Sequence, residues 1–437
     1  MTQQGFEKEV IEDSTPSPRG FLLVAGQQLI GMVLGVIVWV LLARMLPVAD
    51  FGEFNAAFGV AVMGGTLANL GLAQYITVPF RAAIDSRDFH LARGLRRVVP
   101  WCIGVTALIG YVVIFTAHMT FDHGSMVRDE SFAVLLALLP MIGIMLYLVA
   151  AANVHGAPGR AMFLSAPFLQ IVIGLGLMAA WLQKGRAFDI LDAALIWLVA
   201  MMIVSILLWR LNLKVEEDDF KTGPDKLAWR AWMSGTFPYF LNGAATVLLI
   251  QAPFLVLGWI HPSGREAAMF GAADRLAQLL AVAGLAGSAM FQPLLADAVR
   301  SRNRGYCGRL IQKWFLLVGT LNLVGLGLLI LFGEDLLDLY GEHYRDAYPL
   351  LLVTGTSIGF SMTASVFLPI VQYTGRGRSV IRLSLAWSFV GIAAMIGLGW
   401  KWQAMGVAIG QGLAFVGMYL TFMIMARLLM SSMEETG

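Results

Sequence analysis

Asp274 and Arg275 stand side by side in a stretch that is otherwise apolar, and Gln278 follows within four residues. On a helix such intervals fall on one face, so carboxylate, guanidinium and amide form one polar stripe. Arginine presents five N–H donors in a rigid fork that matches phosphate and carboxylate oxygens, which makes Arg275 the first candidate for holding an anion. A plainer role is equally open to it: an ion pair with Asp274, or a charge that snorkels to a helix end and holds helices together. Arg44 is a second cationic candidate, at the end of an apolar run where snorkelling costs little. Asn55, Asn69 and Gln74 form a second group, and Asn242 and Gln251 a third. These amides suit sugar hydroxyls, and they suit hydrogen bonds between helices just as well. Thr354, Ser357, Ser361 and Ser365 recur at helical spacing, as a packing face or a cavity lining.

Nothing in the chain points to catalysis or to a resident metal or cofactor. There is no Gly-x-x-x-x-Gly-Lys-[Ser/Thr] loop for nucleotide phosphates and no His-Glu-x-x-His. Gly355-Thr356-Ser357-Ile358-Gly359 fits the pattern of a nucleophile elbow, yet that device needs a strand-turn-helix context, and here it lies within an apolar run. The two cysteines, Cys102 and Cys307, have no metal-ligand spacing. A coupling ion is left open, and no nucleic-acid partner is expected.

The elements that carry these residues follow from composition. Of 437 residues, 58% are hydrophobic and 13% charged, about half the ~25% charge of a soluble domain. Uncharged runs recur at 21–43, 54–80, 98–121, 131–159, 161–183, 193–209, 231–264, 276–296, 314–333, 347–375, 383–400 and 402–426. Each is of the order of the 20 residues a helix needs to cross a bilayer. The expectation is an all-α, polytopic membrane protein of twelve transmembrane helices. Roughly three-quarters of the 30 Lys and Arg residues fall in alternate connections, which places both termini in the cytoplasm. Trp101, Trp181, Trp232, Trp259, Trp314, Trp400 and Trp402 lie near run ends, where amphipathic rings favour the membrane interface. Glu7, Glu9, Glu12 and Asp13 make residues 1–19 unlike a signal peptide. His155, near the end of the fourth run, is read as part of an inner loop and expected in solvent.

The acidic stretch around Glu216, Glu217, Asp218 and Asp219 divides the runs into six and six. A shift of 216 residues sets Phe54 on Phe270, Ala56 on Ala272 and Gly71 on Gly287. The expected organisation is a cytoplasmic tail (1–19), an N-lobe (20–212), a cytoplasmic inter-lobe loop (213–232), a C-lobe (233–427) and a cytoplasmic tail (428–437). Two lobes entering the membrane with the same polarity are an arrangement of alternating-access transporters, with the site between the lobes. Pro238 and Pro253 are expected to kink the seventh helix. Gly31/Gly35, Gly355/Gly359 and Gly406/Gly410 form Gly-x-x-x-Gly pairs that let helices approach closely.

Several segments carry a family resemblance. Ala43-Arg44-Met45-Leu46-Pro47, followed by Phe51-Gly52-Glu53-Phe54, resembles the first helical hairpin of the bacterial polysaccharide-biosynthesis (oligosaccharide repeat-unit) flippases, within the multidrug/oligosaccharidyl-lipid/polysaccharide exporter superfamily. Asn69-Leu70-Gly71-Leu72, Met269-Phe270-Gly271-Ala272-Ala273-Asp274-Arg275, Tyr340-Gly341-Glu342-His343-Tyr344 and Gly375-Arg376-Gly377-Arg378 are similar to later segments of that family, in the same order. The resemblance implies translocation of a lipid-linked oligosaccharide, usually on undecaprenyl pyrophosphate, across the bacterial inner membrane for exopolysaccharide, O-antigen or capsule synthesis. Membrane lipid, a polysaccharide polymerase and glycosyltransferases are the partners it implies. Rival readings are a drug/cation antiporter of the same superfamily, which favours acidic groups inside the membrane, a lipid II flippase, which usually has fourteen helices, and a non-transport assembly component. Asp274 is the main acidic candidate for the interior, which weighs against cation exchange.

Overall fold

The structure, a computed structural model, describes residues 18–77, 79, 80, 83, 86, 89–121, 129–215, 229–261 and 263–433. Among them there are helices and no strands. The rods are α1 (Pro18–Met45), α2 (Val48–Ala68), α3 (Phe89–Phe121), α4 (Asp129–Leu136 continued by Leu138–Val154), α5 (Pro158–Phe163 and Leu169–Lys184), α6 (Ile190–Val215) and α7 (Trp229–Ile260). They continue as α8 (Arg265–Ala277 and Ala281–Arg300), α9 (Arg304–Trp314 and Thr320–Asp338) and α10 (Tyr348–Ala364). The helix Gly377–Ser431 is broken by non-helical backbone at Trp402 and Gln403 into α11 before the break and α12 after it.

Nine stretches among the described residues are long and apolar enough to cross a membrane, and the last, Phe367–Ser431, contains both α11 and α12. The chain is therefore a multi-pass membrane protein. By that measure the structure does not reach twelve separate crossings: α2 carries Asp50, Glu53 and Asn55 within its 21 residues, and α10 has 17 residues. Apolar side chains cover the outside of the rods. Leu182 is 81% exposed, Leu316 76% and Leu331 74%, a surface that suits lipid and would aggregate in water.

The helices also extend beyond the uncharged runs. α6 continues through Arg210 and Lys214 to Val215, and α7 starts at Trp229, so helix takes both ends of the expected 213–232 loop. Long basic side chains at helix ends reach water while their stems stay against the rod, and charge therefore does not stop the helix. The acidic run at 216–219 and the tail residues 1–17 lie outside the described residues. Trp232 and Trp314 are not interfacial: they are 4% and 1% exposed. Because α9 begins at Arg304, Trp314 is already inside the bundle, where its indole donates to the Thr363 carbonyl at 2.8 Å.

The same packing recurs in the two halves. Gly31 of α1 lies against Ala166 of α5, and Ser388 of α11 donates to the Ala245 carbonyl of α7 at 2.9 Å. Gly65 of α2 seats Leu139 and Ile142 of α4, and Gly284 of α8 seats Met362 of α10. Asn212 of α6 donates to the Leu148 carbonyl of α4 at 3.0 Å, and Gly412 of α12 meets Ser357 of α10. The halves join chiefly through α2 and the short segment that follows it. Gly59 meets Phe254 and Gln251 of α7, Gly71 meets Tyr239 and Phe240, and Tyr75 lies on Gly235.

At the end that holds the α1–α2 and α7–α8 turns, here the hairpin end, the contact is backbone on backbone. Gly52 lies against Gly264, which has φ +70°, and a methyl on either would fall on the other strand of the contact. Gly52→Val is expected to lower stability by about 1–3 kcal/mol, the cost of overpacking against atoms that cannot turn away. Gly104→Val, where nothing lies within 4 Å, should stay within about 0.5 kcal/mol. Thermal unfolding of the two purified variants checks this, and equal shifts would contradict it.

Candidate functional site

A cavity of about 300 Å³ lies between α1, α5 and α8. Gln28 and Trp39 reach it from α1, Ser165 and Gln170 from α5, and Arg275 and Gln278 from α8. Its walls depend on local departures from α-helix. α5 passes through a π turn at Leu164–Phe168 that contains Pro167, and α8 tightens to a 3₁₀ turn at Gln278–Leu280. Proline lacks the N–H that the ladder needs, and such turns mark functional positions in many helices. Gly31 and Gly35 let α5 come near at the same level, against Ala166 and Gln170.

Arg275 is ten residues into α8, about 15 Å from its start at 1.5 Å per residue. Helical backbone continues past this point to Arg300, so the pair lies within the rod and not at its end. The Arg275 guanidinium lies 4.3 Å from the Trp39 ring centroid and 6.0 Å from that of Phe254. A desolvated cation–π contact contributes about 2 kcal/mol. Trp39 is itself held by Phe51, Phe54, Phe58 and Trp197, with centroids 5.5 to 6.1 Å away. The Nε of Arg275 is buried and has no hydrogen-bond partner, a shortfall of about 1–3 kcal/mol. Asp274 is buried, and its Oδ2 accepts from Gln278 Nε2 at 2.6 Å. Beyond the site, towards the hairpin end, the hydroxyls of Tyr340 and Tyr344 are buried without partners. Burial pushes the Tyr340 hydroxyl up, and the Arg275 guanidinium pulls it part of the way back.

The arrangement is thus one unmatched guanidinium lining a cavity that also carries three amides and a hydroxyl. All three walls fall within residues 18–297, the stretch matched by the family model for polysaccharide biosynthesis proteins. The chain belongs to the polysaccharide biosynthesis protein family. The fold of this family member is also that of solved membrane transporters. It is similar to a multidrug resistance MATE family transporter of the MOP superfamily in its inward-facing conformation, at 18% identity and a TM-score of 0.72 over 93% of this chain and 96% of that one. An outward-facing multidrug resistance MATE family transporter of the MOP superfamily gives 0.61 at 16% identity, over 94% and 96%. The lipid II flippase MurJ, in an inward closed conformation, gives 0.72 at 13% identity, over 93% of this chain and 87% of that one. Comparison with curated proteins found no match.

Of the residues singled out from sequence, the cavity gathers Arg275 and Gln278, with Asp274 bound behind them. The others lie elsewhere. Arg44 is exposed, and its Nε and Nη2 donate to the carbonyls of Leu339 and Asp338 at 2.5 and 3.2 Å. It caps the end of α9, where the helix dipole favours a cation. Asn55 donates to the Phe51 carbonyl and packs on Gly271 of α8. Asn69 donates to the Gly143 carbonyl of α4 at 3.2 Å and accepts from the Ala73 amide at 2.8 Å, which ties the bend after α2 to its neighbour. Gln74 and Asn242 are exposed, and Gln251 is buried against Gly59. The hydroxyls of Thr354, Ser357, Ser361 and Ser365 each donate to a carbonyl of their own chain three or four residues back. α7 runs unbroken through Pro238 and Pro253. His155 is half-buried against Phe80, at 5.3 Å between ring centroids, and burial and then Arg96 lower its pKa.

Trp39, Gln28, Ser165 and Gln170 were missed by sequence reasoning. Trp39 lies midway along an apolar run, and only the distance between α1 and α8 shows what it does. Asn69→Ala should cost about 1–3 kcal/mol, since it leaves the Gly143 carbonyl and the Ala73 amide unmet. Gln74→Ala should change stability by less than about 0.5 kcal/mol. Denaturation of both in one detergent reads the contrast, and a neutral Asn69→Ala would contradict this role.

Proposed function

We propose that the chain translocates a lipid-linked oligosaccharide repeat unit across the bacterial inner membrane by alternating access, with the phosphate-bearing head held at Arg275. The carrier is undecaprenyl pyrophosphate, the termini are cytoplasmic, and the product feeds exopolysaccharide, O-antigen or capsule synthesis. The observation that carries this reading is the unmatched, cavity-lining guanidinium over Trp39. A pyrophosphate oxygen supplies the acceptor it lacks, and charge-assisted bonds of this kind are the strong ones. Gln28, Ser165, Gln170 and Gln278 supply donors and acceptors for sugar hydroxyls, while the lipid chain stays in the bilayer.

Family membership supports the polysaccharide pathway over drug exchange, and so does the polarity of the site. Asp274 is engaged by Gln278, and the group left unmatched is the cation. The better superposition on the inward-facing transporter than on the outward-facing one supports a state that is sealed at the hairpin end. In that state the Gly52–Gly264 contact and the Arg44 cap on α9 hold the seal. Both must part for the cavity to open the other way.

Arg275→Ala is expected to reduce export roughly 10- to 100-fold, the loss of one charge-assisted contact, with normal amounts of protein in the membrane. Arg275→Lys should retain part of the activity, because the charge remains while the fork is lost. Lipid-linked saccharide accumulating at the inner leaflet in a deletion strain, restored by wild type and not by Arg275→Ala, is the readout. Deletion that alters only drug sensitivity would sink the reading.

A further inference from the structure

A second cavity, of about 930 Å³, lies among α1, α5 and α6 and shares no lining residue with the one at Arg275. Arg160 reaches it from the start of α5, Arg210 and Lys214 from the last turns of α6, and Gln27 from α1. Arg210 and Lys214 are four residues apart and so share a helix face. Leu207 and Leu211 continue that wall with apolar surface, and Phe163 of α5 adds to it. The three cations are exposed, and among the described residues none is paired with a carboxylate. The Oε1 of Gln27 is buried without a partner. An amide turned over occupies the same space and presents N–H donors instead.

Orientation by basic residues explains cations at this end of the bundle. It does not explain a recess that joins them to an apolar wall and an unmatched amide. A volume of this size lies within the range of ligand sites, and its chemistry is divided: three cations on one side, leucine and phenylalanine on the other. That division matches a molecule with an anionic head and a hydrocarbon chain.

We propose that this groove binds the phosphate-bearing head of a membrane lipid, with the chain lying on Phe163, Leu207 and Leu211. Arg160, Arg210 and Lys214 hold the phosphate oxygens, and Gln27 donates to the same head. If the lipid is the saccharide carrier, the groove is a loading site outside the central cavity; that identification alone rests on the proposed function.

The test is a binding titration of the full-length protein in detergent with a short-chain polyprenyl phosphate and, separately, with phosphatidylglycerol. Changing Arg160→Gln, Arg210→Gln and Lys214→Gln together should weaken binding of the polyprenyl phosphate roughly a hundredfold, from about fivefold per cation at a lipid surface. Leu207→Trp with Leu211→Trp, which fills the groove and leaves every charge in place, should weaken it as well. This second variant keeps the test valid should the first fail to insert. The loss caused by the groove variants should persist when they are added to Arg275→Ala, so failure of the export reading leaves this result unaffected. Tighter binding of polyprenyl phosphate identifies the groove as a loading site, and equal binding of phosphatidylglycerol identifies the occupant as a phospholipid. Wild-type affinity in both groove variants, or no further loss when they are added to Arg275→Ala, would overturn the proposal.

Discussion

A guanidinium kept inside an apolar bundle is expensive, about 3 kcal/mol at the centre of a membrane helix even on the mildest scales. Arg275 offsets part of that cost through Trp39 and leaves part of it standing at Nε. Much of the surrounding structure follows from this one placement. Trp39 can face the cation because Phe51, Phe54, Phe58 and Trp197 fix its other sides. Asp274, next in the chain, is engaged by Gln278 and leaves the cation as the reactive member of the stripe. The cavity exists at this level because α5 and α8 both depart from α-helical geometry there.

The position of the cavity depends in turn on how closely α2 packs. Gly52 and Gly59 bring it against α8 and α7, Gly71 does the same for the turn after it, and Asn55 fits on Gly271. This contact excludes space along one side of the bundle, and the open space lies on the other, between α1, α5 and α8. The seal at the hairpin end combines backbone contact with a cap from Arg44 to the last carbonyls of α9. Backbone packing of this kind is either made or broken and does not deform smoothly, as two-state motion requires.

Fold class was legible because a membrane helix declares itself by composition alone: charge is scarce, and its gaps recur at bilayer length. The family was legible in the turn around Arg44 and Pro47 and in the Asp274-Arg275 segment, where special geometry needs special residues. Arg275 was legible for the same reason, as a charge where lipid would expel one. The amides were not. Asn55, Asn69 and Gln251 share their type with Gln28 and Gln170, and a side chain does not reveal whether it meets a neighbouring carbonyl or a cavity. That depends on distances between helices remote in sequence. The cation–π partner was hidden similarly, since a tryptophan in an apolar run looks like any other core residue.

Photolabelling tests the central claim most directly. A polyprenyl pyrophosphate bearing a photoreactive group beside its phosphates would be bound to the full-length protein and irradiated, and the adducts mapped by peptide mass spectrometry. Labels on Trp39, Gln170 and Gln278, suppressed by Arg275→Ala, are the result predicted for a head held in the α1–α5–α8 cavity. Labels confined to the lipid-facing surfaces of α3 and α9, unchanged by that substitution, would contradict it.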